Sequence, residues 1–506
     1  MQQGEQPTKH QRQLRLFAKD AVLTPEQIAS FDEAVVEIIV KDYQPLSIVE
    51  DSGFRNLIHK LEPRYTLPSR KTLTEKLLPA YYKAHAQALG KILKDIEHMA
   101  ITSDYWKASN DKTFLSLTAH YIHDDKVTSK TLAAQEVLGS HTAINTAAVI
   151  TDILEKWDAY GKVVTVVTDN AANMKKAVCE NLCKHHHPCV AHTINLTVND
   201  AISPDLATLL TKCRSIITHF KQSSVSLNLP ELKLKQDVAT RWNSIYIMLE
   251  RLVEVKQPLT LALADLTDRA PENLTGNEWA TIKDCLQVLK PFLELTEMIS
   301  GEKYITMSTI VPLIRRLQFS LRNVLPTTLI GTALQMSLID MVSRRLGHLE
   351  TNKIVAKATF LDPRFKKAGF GHDDNAKNAQ QWVTDELSHL ISQDQAQRAV
   401  TETNRNNNPA RVSTNRTTGS TLINRNEDPL NYWRDHAKIF PRLYTLAKKY
   451  LAIPATSVPS ERLFSKAGYV LSDRRNRLGS QKLGQIMFLN GVYTKRWIRK
   501  KKKLTP

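Results

Sequence analysis

The chain has 506 residues, 42% of them apolar and 24% charged, with ordinary numbers of Gly and Pro. This excludes a small stapled scaffold and an unfolded polymer, and leaves room for two to four structural units. The 69 Lys and Arg against 51 Asp and Glu give a net charge of +18, which is either neutralised by a polyanion through counterion release or left as a solvated positive face. Of the five cysteines, four lie between Cys179 and Cys213, which argues for a reducing compartment rather than a disulfide framework. No apolar run reaches the ~18 residues of a bilayer span and the first 20 residues hold no apolar signal segment, so neither membrane insertion nor secretion is expected.

Residues 1–20 are polar and basic and read as a disordered tail. From Thr24 the apolar positions of PEQIASFDEAVVEIIV recur at helical spacing, with Thr24 as N-cap and Pro25 in the first helical position. FRNLIHKL and KTLTEKLLPAYYKAHAQALGKILKDIEHM continue the helical character, the second carrying many lysines, so residues 21–97 are expected to be a helical DNA-binding or dimerisation region. At Met99 the pattern changes to three short β-favouring runs, MAITSDYW, TFLSLTAHYI and KTLAAQEVL, separated by polar turns. A helix from Thr142 to about Tyr160 follows. The apolar strand of GKVVTVVTDNAANM comes next, and HPCVAHTINLTVNDAI adds a last strand or strand-to-helix transition. The order β-β-β-α-β-α-β over residues 98–240 matches an α/β RNase H-like core.

Residues 241–370 read as a separate all-α domain. Residues 371–427, rich in Asn, Gln, Asp, Thr and Arg, read as a polar linker. Residues 428–494 resume helical order in three segments, PLNYWRDHAKIFPRLYTLAKKYLAI, SERLFSKAGYVLSDRRNRL and QKLGQIMFLNGV. The tail at 495–506 packs basic residues around one Trp, a pattern suited to nuclear import or phosphate contact, or simply a solvated terminus.

Asp104 lies in the first strand and Asp169 at the end of the buried fourth, and in this scheme those strands are neighbours. Two carboxylates in a cleft of low dielectric repel unless a divalent cation lies between them, so the pair suits Mg²⁺ or Mn²⁺. Either aspartate viewed singly is equally a strand-end turn or helix cap.

TSDYW, TDNAANM, CVAHTINL, TRWNS and SERLFSKAG occur in that order, and together they resemble the hAT superfamily of DNA transposases, including relatives with BED-type zinc fingers. The resemblance covers about residues 45 to 493. It implies Asp104, Asp169 and Glu461 as the catalytic, metal-binding acids of a two-metal site for DNA strand cleavage and transfer, with a large all-α domain inserted into the core ahead of Glu461. Read from its own surroundings, Glu461 also suits a helix-start partner beside Ser457. Arg241 and Trp242 match the family's RW motif and imply DNA binding, the indole stacking on an unstacked base; the alternative is a Trp packed between domains. Cys189 and His192 match a CxxH motif near the active site, with Cys189 structural and His192 free to contact a phosphate. The wider run Cys179, Cys183, His185, His186, His187, Cys189, His192 lacks the second ligand pair of a zinc finger, so structural zinc is not expected.

The C-terminal region resembles the hAT dimerisation region through Trp433, Tyr450, Leu451 and Phe464, which implies a homodimer or larger homo-oligomer, with docking on the chain's own helices as the alternative. The expected partner is double-stranded DNA and the expected compartment the nucleus. No Cys precedes Asp104, so the CxxC and HxxxH of a BED finger are not found. End recognition then falls to the helical N-terminal region, has been lost, or belongs to sequence outside this chain. A non-catalytic DNA-binding or transcription-regulatory protein that keeps the fold is the second reading.

Overall fold

The computed structural model describes residues 22–108, 111–222, 232–238, 241–264, 271–401, 422–471 and 478–504. The expected basic tail at 1–20 and the most polar part of the expected linker, 404–420, lie outside them. Helix α1, Pro25–Lys41, opens as its sequence indicates: Thr24 Oγ1 accepts the Gln27 N–H at 3.3 Å while Gln27 Oε1 accepts the Thr24 N–H at 2.9 Å. This reciprocal cap satisfies two donors that the first turn leaves unpaired. Helix α2 spans Ser52–Leu61. Helix α3, Leu78–Lys94, is preceded by the segments Arg70–Thr72 and Leu73–Leu77, the second a π turn that precedes Pro79, a residue that brings no N–H to the ladder.

Strands β1 (Met99–Lys107), β2 (Thr113–His123) and β3 (Lys126–Glu136) form an antiparallel meander. Helix α4 (Ala143–Lys156, N-capped by Thr142) returns the chain to β4 (Val163–Thr168), parallel to β1. The short helix α5 (Ala172–Lys176) leads through a further turn to β5 (His185–Pro188), parallel to β4. The sheet order is β3-β2-β1-β4-β5, so the two strands bearing Asp104 and Asp169 are neighbours. The sheet divides two cores. Met99 and Ile101 of β1 join a core with α1, α3 and α4, whereas Ala100 joins the opposite core with the helices that follow β5, as the alternation of a strand requires.

Those helices are α6 (Val190–Asp200), α7 (Pro204–Gln222), α8 (Trp242–Glu254), α9 (Lys256–Ala264), α10 (Gly276–Ile299), α11 (Ile310–Asn323), α12 (Leu329–Leu346), α13 (Lys353–Leu361) and α14 (Asp373–Thr401). Ile194 and Val198 of α6, and Leu206 and Ile217 of α7, share one apolar core with Trp242 and Phe292. The helical section therefore begins at Val190, and the boundary expected at 240 is too late. The linker expected over 371–427 also needs correction. Residues 373–401 form α14, because Ala376, Ala379, Val383 and Leu387 make a sparse but regular stripe that is buried, at helical spacing that bulk polarity conceals.

Helices α15 (Pro429–His436) and α16 (Pro441–Leu451) replace the single segment expected there; the break falls at Pro441, whose ring cannot continue a helix interior. Helix α17 (Val458–Val470) packs on β1 and β2, and α18 (Ser480–Leu504) lies along β3, α1 and α3. Gly484 of α18 faces the Ala134 carbonyl so closely that a Cβ would come within 2.9 Å of it. The basic run expected as a separate tail continues α18 on helical backbone.

Glu386 of α14 ties three helices together. It accepts Lys357 Nζ of α13 at 2.5 Å, Lys449 Nζ of α16 at 2.7 Å and Tyr450 Oη at 2.6 Å. Burial acts to raise its carboxyl, but these donors outweigh that and hold it at about 2. A depressed carboxylate contributes stability that is present above its unfolded pKa and is lost as pH falls through the folded one. Glu386→Gln is therefore expected to cost about 3 kcal/mol at pH 7, with the deficit shrinking between pH 4.5 and 2, measured by urea denaturation of both proteins across that range.

Candidate active site

In the parallel pairing of β1 and β4, Thr102 lies beside Val167. Two residues further on each chain, Asp104 and Asp169 emerge at the same level, on backbones roughly 4.8 Å apart. Asp169 turns the chain into α5, its Oδ1 accepting the Ala171 N–H at 3.2 Å, and Asp104 Oδ1 accepts the Tyr105 N–H at 2.9 Å. Glu461 arrives on the first turn of α17. Its neighbour Ser460 is fully buried, and Ser460 Oγ meets Thr102 Oγ1 at 2.9 Å, two residues from Asp104, while His120 Nε2 reaches the same threonine at 3.1 Å. No side-chain cap bond forms at Ser457, so Glu461 is not one half of a capping box.

Cys189, fully buried at the start of α6, secures this junction. Its N–H donates to the Thr168 carbonyl at 2.7 Å, beside Asp169, and its Sγ accepts the Ser457 N–H at 3.3 Å. The next residue, Val190, donates to the Ala455 carbonyl at 3.1 Å. The cysteine thus links the strand end that bears Asp169 to the segment that launches Glu461. Burial raises its thiol pKa, so it is an inert packing group rather than a nucleophile. Thr102 was not singled out in the sequence, and Ser457 and Ser460 drew notice only as part of a helix start. Their role depends on contacts between distant segments, which leave no local pattern.

The three acids act on one another electrostatically. Asp104 is raised to about 7, first by burial and then by the negative charges of Glu461 and Asp169. Glu461 is also raised, chiefly by burial; Arg241, His192 and Arg462 oppose this, and Asp169 adds to it. Arg462 is itself paired with Glu302 at 3.0 Å. Among the described residues, no three His, Cys, Asp or Glu side chains converge at metal-ligand range, the three acids included. The donor chemistry nevertheless fits a hard divalent cation: three partly buried carboxylates, all oxygen donors.

Arg241 is exposed and its charge reaches Glu461. Trp242, expected to stack on a base, is instead 2% exposed within the helical core, edge-on to Phe292 at 6.2 Å, with its backbone N–H on Asn195 Oδ1 at 2.8 Å. An indole enclosed by apolar neighbours offers no face to a nucleobase. The histidine run lies on β5, where burial holds His186 at about 4 and His187 at about 3, so both are neutral imidazoles.

Three family models match the chain: a ZBED1 RNase-like domain over residues 102–193, a ZBED1 RNase-like helical domain over 187–288, and the hAT family C-terminal dimerisation region over 415–493. The chain belongs to the hAT transposase-like proteins. Zinc finger BED domain-containing protein 4 of Homo sapiens is 26% identical over 90% of this chain and 43% of its own length. The putative AC transposase of Zea mays is 24% identical over 94% and 66%, and the putative transcriptional regulator tpeD of Talaromyces stipitatus 24% over 90% and 61%. This hAT chain thus spans between about two fifths and two thirds of the length of these relatives. The side chains expected to reach a dimer partner are taken up by the chain itself: Trp433 is 7% exposed and donates to the Leu361 carbonyl at 2.9 Å, and Tyr450, Leu451 and Phe464 are buried likewise. Within the single chain these four side chains serve as internal packing, the alternative the sequence left open.

Two measurements follow from these environments. Cys179 and Cys183 are exposed while Cys189, Cys213 and Cys285 are buried, so a thiol reagent should titrate two groups in the native protein and five after denaturation. A carboxyl raised by folding contributes stability at low pH that is lost as pH rises through its folded value. In chelator, Asp104→Asn should therefore stabilise the protein at pH 8 by roughly 2–4 kcal/mol and leave it nearly unchanged at pH 4, as read from paired urea unfolding curves.

Proposed function

We propose that this protein processes DNA strands by phosphoryl transfer in the manner of a hAT transposase. The observation that carries the reading is the arrival of Glu461 beside Asp104 and Asp169 through the buried Ser460–Thr102 contact, made across 358 residues of sequence. Asp104, Asp169 and Glu461 would hold Mg²⁺ or Mn²⁺, which when bound supplies the positive charge that activates an attacking hydroxyl and steadies the leaving oxygen. Arg241, exposed and felt electrostatically at Glu461, would neutralise a phosphate oxygen of the incoming strand. His192, whose charge is felt at Glu461, stands where it can donate to the same phosphate. The helical section from Val190 to about Ala455 is read as an insertion into an RNase H-like core, since its two ends meet in one hydrogen bond. Double-stranded DNA as partner, a homodimer through the C-terminal region and residence in the nucleus complete this reading. It is supported by the match to a dimerisation region and by a maize relative named as a transposase.

A second reading, a DNA-binding regulator without catalysis, is favoured by the burial of Trp242 and by the fungal relative named as a transcriptional regulator. Purified protein given Mn²⁺ and duplexes carrying any inverted repeats found beside its gene separates the two. Cleavage that falls roughly 10³-fold or more in Asp169→Asn, with unchanged DNA affinity, supports the first. Binding without any cleavage by the unaltered protein overturns it in favour of the second.

A further inference from the structure

The lysines of α3 face an open groove on the side of the sheet away from the helical section. Lys83, Gln87, Gly90, Lys91 and Lys94, which recur at the spacing of one helix face, form one wall of a cavity of about 890 Å³. The other wall is Leu132, Ala133 and Gln135 of edge strand β3 with Lys156 and Trp157 of the α4 end. A second cavity of about 430 Å³ shares Tyr82, Leu132, Gln135 and Lys156 and extends the groove along α18. Lys156 is paired with Asp152 at 2.7 Å. Lys83, Lys91 and Lys94 are exposed and have no ion pair among the described residues, and Asp158 is the sole acid in the lining of the larger cavity.

We propose that this groove binds the phosphate backbone of duplex DNA. This rests on reading the protein as one that acts on DNA. At 1.5 Å per residue, Lys83 to Lys94 spans about 16 Å, the axial rise of roughly five base pairs. The groove also offers less of what a single strand requires. Tyr82 and Trp157 both pack on Phe488, edge-on at 5.1 Å and stacked at 5.9 Å respectively, so each has part of its ring already engaged and less of it is left for base stacking. What remains is a row of unpaired ammonium groups on a rigid helix, which positions a duplex without reading its sequence.

The test is fluorescence anisotropy of the full chain, in chelator, with a labelled 30-base-pair duplex of arbitrary sequence over a series of salt concentrations. The variant Lys83→Ala/Lys91→Ala/Lys94→Ala should bind at least 10-fold more weakly at low salt, and its log–log salt slope should fall by between two and three, at about 0.9 per lost phosphate contact. A single strand of equal length should show a smaller change. Removing three exposed lysines elsewhere, Lys283, Lys290 and Lys438, should leave the slope nearly intact. Equal slopes for the groove variant and the unaltered protein overturn the proposal, as does an equal loss in the control variant. Either result leaves the DNA-processing reading standing, whereas failure of the unaltered protein to bind any duplex sinks both. Because the three side chains are exposed, matching thermal melts establish that the fold is intact.

Discussion

The site depends on a closure between two ends of the chain that meet inside the protein. Strand β1 can place Asp104, and its parallel neighbour places Asp169 at the same level, but nothing in the first 200 residues supplies a third acid. That acid comes from α17, and its position is set by two buried contacts: a hydroxyl pair between Ser460 and Thr102, and the Ser457 amide on the Cys189 sulfur. Both sit where water is excluded, so losing either partner leaves a buried polar group unsatisfied. The helical section between them enters at Val190 and leaves at Ala455, one hydrogen bond apart, and Ala455 is anchored again by Thr306 Oγ1 at 3.0 Å. A large insertion can therefore be carried without disturbing the geometry of the acids, because its two ends are fixed to each other.

The electrostatic balance runs the opposite way to that of the rest of the molecule. A chain with a net charge of +18 gathers three partly buried acids, with Arg241, His192 and Arg462 acting on Glu461, and burial together with the neighbouring acids still pushes the Asp104 carboxyl up. Surface lysines are too far away and too well solvated to correct this.

What the sequence discloses follows the range of the interaction involved. Asp104 and Asp169 are legible because strand patterns and a parallel neighbour place them. The cap at Thr24 is legible because it is made within three residues. Glu461 cannot be located without the resemblance, since Ser460 and Thr102 are joined only by folding. The helix at 373–401 is hidden because its apolar stripe is thin and its remaining residues are Asn, Gln and Asp. Trp242, Trp433 and Phe464 show the other limit: an aromatic residue in a motif looks the same in sequence whether it faces a ligand or an interior. Here all three face the interior.

The gap between Thr102 and Ser460 also bears on how the protein is made. A chain emerging from the ribosome carries Asp104 and Asp169 for most of its synthesis, yet the serine that brings in the third acid is translated only near the end. Long-range closure of this kind is the slow step in folding, because its entropy cost is met before any contact rewards it. A message cut short upstream of α17 therefore yields a protein with an open edge and two acids, able to hold charge but lacking the full set. Assembly of the site is in this way coupled to completion of the chain.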